Sequence, residues 1–96
     1  MAANFDVFVH RNSDNLHLII TGDFDDGSAY ELFRSLRKNY MGEYKVFLHT
    51  SRLRQICPSG VETFSNNLDT LPIGPEGLFF SGENAALIAP EGTNCL

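Results

Sequence analysis

The stretch Val46–Gly60, VFLHTSRLRQICPSG, decides how this chain folds. Together with Lys45, its first part (KVFLH, Lys45–His49) is short, apolar and rich in strand formers, which predicts a central strand. A loop with Leu53 and Ile56 pointing inward is expected next. Pro58 and Ser59 then open a helix. Ser59 and Glu62 stand at the spacing of a reciprocal capping box, and proline is common near a helix start. Val61, Phe64, Leu68 and Leu71 form its buried stripe, and Pro72 ends it.

Upstream, apolar side chains fall at Phe5, Val7 and Val9, a period of two that predicts a first strand over Phe5–His10. Asn12–Asn15 is a turn cluster, and Leu16–Thr21 reads as a second strand covered on both faces, so the two form a hairpin. Gly22–Gly27 (GDFDDG) is expected to be a loop. Ser28 and Glu31 then repeat the capping-box spacing ahead of a helix carrying Ala29, Leu32, Phe33, Leu36 and Tyr40, with Gly42 as terminator. Downstream, Leu78–Phe80 is a fourth strand. Asn84–Ala89 is a short last helix, stopped by Pro90 and Gly92.

The resulting order, β-β-α-β-α-β-(α), predicts an α/β protein with a mixed sheet of about four strands and helices packed on it. Ninety-six residues make a single domain, 1–96, that buries roughly 60–65% of its unfolded surface. Little room is left for a deep substrate cavity. A net charge of −5, with seven Lys and Arg against twelve acids, argues against nucleic acid and against an anionic membrane surface as partners. Arg34, Arg37, Lys38 and Lys45 cluster where a helix ends, and cations suit that dipole. No leader or spanning segment is expected from Met1 onward, and Cys57 and Cys95 match neither a disulfide framework nor a metal spacing. A cytoplasmic protein with reduced thiols follows as the expectation.

Two stretches resemble the STAS domain, the family of anti-sigma-factor antagonists and sulfate-transporter cytosolic tails. Gly22-Asp23-Phe24-Asp25 is similar to the family's G-E-L-D segment ahead of its first helix. Val46–Gly60 aligns without a gap to its strand-loop-helix pattern, matching at Val46, Leu48, Ser51, Leu53, Ile56, Ser59 and Gly60. The resemblance implies a STAS-like fold over about residues 5–89, no catalytic activity and no cofactor. It also implies a protein partner, an anti-sigma factor or a kinase-like regulator, docked on Pro58, Ser59, Gly60, Glu62 and Thr63 with Asp25 at the edge. The departures are chemical. Pro58 stands where switching members carry the regulatory serine, and proline has no hydroxyl to phosphorylate. Cys57 replaces the preceding acid, and His49 replaces the acid closing the central strand.

Other residues admit two readings each. Ser59 is the only hydroxyl left in CPSG and is a phosphorylation candidate, although a helix cap explains it fully. Cys57 beside a helix N-terminus is either a thiolate, in a thiol-dependent enzyme or redox sensor, or a small buried hydrophobe. His49 could act as a base or simply finish its strand. His10 and His17 could face one another across the turn, yet a third metal ligand is missing. Asp23, Asp25 and Asp26 make an acidic loop without EF-hand spacing, so no metal is expected. The start of the second helix could also hold a nucleotide phosphate or other small ligand, though no P-loop is present. Homodimer formation and the order of Glu91–Leu96 are left open.

Overall fold

The computed structural model describes residues 4–12, 14–43 and 45–96. Ser13 of the predicted turn, and Met1–Ala3 in the reading of the N-terminus, lie outside these residues. The chain runs β1 (Asp6–Arg11), β2 (Asn15–Phe24), α1 (Asp26–Asn39), β3 (Lys45–Ile56), α2 (Pro58–Asn66), β4 (Leu78–Ser81), α3 (Ala85–Ile88) and β5 (Asn94–Cys95). Two short 3-10 turns, Leu68–Thr70 and Pro75–Gly77, lie between α2 and β4.

Among the described residues five strands form one mixed sheet in the order β1-β2-β3-β4-β5. The predicted hairpin is present: β1 pairs antiparallel with β2, with His10 opposite His17. The remaining pairs are parallel. Three right-handed crossovers stepping in one direction across a sheet bring their helices to the same face. Burial records that outcome. Leu16, Leu18 and Ile20 of β2, Val46 and Leu48 of β3, and Leu78 and Phe80 of β4 are wholly buried. They form one core with Ala29, Leu32, Phe33 and Leu36 of α1, Phe64 of α2, and Ala85 and Ile88 of α3. Phe64 sits at its centre, stacked on Phe33 at 5.0 Å and edge-on to Phe24 and Phe80. The alternate residues, among them His17, Ile19, Phe47, His49, Phe79 and Ser81, are half-buried on the opposite face.

Several expectations need correction. Among the described residues the sheet has five strands where about four were expected: Asn94–Cys95 pairs with Phe79 and Phe80, and the Leu96 amide donates to the Phe80 carbonyl. A two-residue strand has no apolar alternation to announce it. Of the loop expected at Gly22–Gly27, Gly22–Phe24 is strand and Asp26–Gly27 opens α1. The loop expected after His49 is strand as far as Ile56, because β2 and β3 pair on to Phe24 and Ile56 through register shifts. Gly22 adopts φ +90 beside one of these shifts, a conformation that favours glycine. Leu53 is buried and Ile56 half-buried, as expected, but from within β3. His49 therefore lies inside β3 and does not finish it. Helix α2 also ends early, at Asn66, and the 3-10 turn after it carries Leu71 into the core.

Candidate interaction site

Strand β3 is the middle strand of the sheet, so the Cys57–Gly60 segment launches α2 from the sheet's centre and not from its edge. The Cys57 amide donates to the Phe24 carbonyl at 2.8 Å, tying the ends of β2 and β3 together just as both give way to helices. Helices α1 and α2 consequently begin side by side.

The contact between the two starts is backbone against backbone. Gly60 is buried, and a Cβ there would lie 2.7 Å from the Asp25 carbonyl carbon and oxygen and 2.8 Å from the Phe24 oxygen. Only glycine lets the chains approach this closely. Gly60 thus seats α2 on the Phe24–Asp25 turn and offers no side of its own to a partner. The expectation that it lies on the contact surface is corrected accordingly.

Asp25 caps α1. Its Oδ1 accepts the Ser28 amide at 2.8 Å and the Ser28 hydroxyl at 3.0 Å, and these bonds, the amide's first, hold the carboxyl below the usual 3.8. Ser28 is itself buried, its single hydroxyl proton shared between Asp25 and the Asp23 carbonyl, the latter at 2.6 Å. The capping box expected from Ser28 and Glu31 is therefore displaced by three residues, because Asp25 reaches the first turn's amides first.

At α2 the second expected box is absent. The N-cap is Cys57, in an extended conformation, and no side chain caps the helix. Ser59 lies inside the first turn and is exposed, as are Pro58 and Glu62, while Thr63 is half-buried. The Ser59 hydroxyl is accordingly not engaged as a cap.

Beside this tip lies a shallow groove of about 360 Å³ lined by Ile56, Pro58, Val61, Glu62 and Leu87. Leu87, on α3, is 62% exposed. It was not singled out in the sequence, because α3 is too short for its periodicity to separate an inner from an outer face.

Cys57 is a half-buried free thiol, and Cys95 is exposed. His49 does not serve Cys57, because both its ring nitrogens are occupied. Nδ1 lies 2.6 Å from the Ser81 hydroxyl and Nε2 lies 2.9 Å from His17 Nδ1. Desolvation, and then the neighbouring His17, push the His49 pKa below 6.5. His10 and His17 do approach, with ring centroids 6.3 Å apart. Among the described residues no cluster of three His, Cys, Asp or Glu could hold a metal ion, and no helix is long and apolar enough to cross a membrane.

The architecture is similar to that of several solved structures. An anti-sigma factor antagonist from Mycobacterium paratuberculosis aligns at a TM-score of 0.56 and 11% identity, over 91% of this chain and 77% of that one. An uncharacterized DUF3478-family protein from Shewanella loihica PV-4, with a SpoIIAA-like fold, aligns at 0.61 and 12%, over 100% and 90%. Mglu aligns at 0.61 and 24% over 79% of this chain, which spans 19% of Mglu's length. No protein-family model matches the chain, and no curated protein does. The likeness establishes the fold: a STAS-like, SpoIIAA-like α/β domain.

Proposed function

We propose that this chain is a STAS-like regulatory module that docks a protein partner on the tip of α2 and the adjoining groove, without catalysis. One observation carries the reading. Apolar surface from Ile56, Pro58, Val61 and Leu87 gathers beside polar groups at Ser59 and Glu62 that cap nothing. An apolar centre with a polar rim is how protein interfaces are built.

The resemblance points to an anti-sigma factor or kinase-like regulator as the partner, in bacterial transcription control and in the cytoplasm. The similarity to an anti-sigma factor antagonist supports a protein partner in general. Pro58, Ser59, Glu62 and Thr63 form the contact, with Asp25 at its edge. Because Pro58 cannot be phosphorylated, the module is constitutively competent or is set by its expression level. The free hydroxyl of Ser59 supports a second form of control: a phosphate there adds about −1.5 to −2 charges and opposes an acidic partner.

Affinity purification with wild type and Leu87→Asp, quantified by mass spectrometry, tests this reading. Leu87 is exposed, so the substitution leaves the melting temperature nearly unchanged. The expected result is a partner whose recovery falls at least tenfold with Leu87→Asp. Equal recovery by both proteins contradicts the docking site.

A further inference from the structure

Strand β1 forms one edge of the sheet, and nothing among the described residues pairs with its outer side. Edge strands of soluble proteins are commonly guarded by proline, bulges, inward-pointing charges or brevity. This one is six residues long, regular in register with β2, and free of proline. At its centre Phe8 is 52% and Val9 40% exposed, on opposite faces of the sheet. The Arg11 side chain is drawn away to Glu43 and the Asn39 carbonyl, leaving the edge itself open.

The direction of the edge's hydrogen-bonding groups follows from the hairpin. The Asn12 amide donates to the Asn15 carbonyl, and antiparallel bonding alternates along the strand. Asp6, Phe8 and His10 therefore bond to β2, while Val7, Val9 and Arg11 turn their amides and carbonyls outward. The Val7 amide bears this out: lacking a strand partner, it is held by the Asp6 carboxylate at 2.9 Å.

We propose that β1 pairs with β1 of a second copy of this chain, antiparallel about a two-fold axis, joining the two sheets into one. In the register centred on Phe8, Val7 of each copy exchanges both backbone bonds with Val9 of the other. Phe8 then lies directly opposite Phe8 of the second copy, in the non-hydrogen-bonded position where side chains come closest. Asp6 faces His10 of the second copy, twice over by symmetry. Each Asp6 carboxylate releases its own Val7 amide to the new strand and takes a ring N–H of the opposing His10 in exchange. This polar pairing selects the register. A shift of the pairing by two residues, centred on Val9, would set Phe8 against His10 and Asp6 against Asn12. The edge is thus self-complementary, the requirement of a two-fold interface. It lies apart from the α2 tip, so the proposal stands independently of the docking site.

Sedimentation or light scattering over a concentration series, with circular dichroism as the check on folding, tests it. Wild type is expected to reach twice the 10.7 kDa of one chain as concentration rises. Val9→Pro removes an amide that the single chain leaves pointing outward, and should stay folded and monomeric. Phe8→Glu, which sets like charges face to face on the axis, should do the same without touching the backbone. Asp6→Lys should weaken the dimer at least tenfold, and Asp6→Lys/His10→Asp, which reverses the pair, should recover most of that loss. A wild type monomeric throughout, or a dimer that survives Phe8→Glu, overturns the interface. Failure of the reversed pair to recover overturns the register.

Discussion

At the start of α1 the cap is closed by local side chains: Asp25 accepts the Ser28 amide and shares the Ser28 hydroxyl proton with the Asp23 carbonyl. At the start of α2, pressed against it, Cys57 offers no cap and Pro58 has no amide hydrogen. Ser59 and Glu62 there face solvent. One start is closed by its own side chains and serves stability. The other keeps its polar groups unspent and has an apolar groove alongside, which suits an external partner. The two starts meet where Gly60 rests on the Phe24–Asp25 backbone and the Cys57 amide bonds the Phe24 carbonyl.

The joint should give the largest response. Gly60→Ala forces a methyl group against backbone that cannot rotate away, and should cost about 3 kcal/mol in a urea melt. A cost under 1 kcal/mol would mean the two helix starts are not in contact. Next, Asp25→Ala should cost about 1–2 kcal/mol, since it removes the cap of α1 and strands the Ser28 amide. This effect carries a pH signature. Because the folded pKa lies below the unfolded 3.8, Asp25's contribution is complete above that value and is lost as pH falls through the lower folded one. The acid limb of the stability curve should therefore be shallower in Asp25→Ala than in wild type.

The open start should respond weakly, or in the opposite direction. Cys57→Ser supplies the missing cap at a residue already in the extended cap conformation, and should raise stability by about 0.5–1 kcal/mol. Ser59→Ala should stay within about 0.5 kcal/mol of wild type in the same melt. A cost near 1 kcal/mol would show that Ser59 caps α2 after all and would erase the contrast.

What the sequence disclosed follows the same division. Long apolar periodicities located α1, α2 and the hairpin, because burial of a face leaves a mark at every third, fourth or second residue. The α2 tip was legible from CPSG, where proline and glycine restrict the backbone. Which side chain caps a helix was not legible. Asp25 and Ser28, like Cys57 and Ser59, both fit the local pattern, and only the pairing of β2 and β3 to their ends decides between them. The role of Gly60 was hidden for a related reason, since a contact with Asp25, thirty-five positions earlier, has no local signature. β5 escaped notice because two residues cannot alternate. Leu87 became visible only when α3 was seen beside α2.

Photo-crosslinking in living cells tests the docking surface most directly. A photoreactive residue would be placed in turn at Glu62, at Leu87, and at Asp14 as a distant control. The account predicts one shared protein adduct from Glu62 and Leu87, and none of that mass from Asp14. The same adduct from all three positions, or from Asp14 alone, would contradict it.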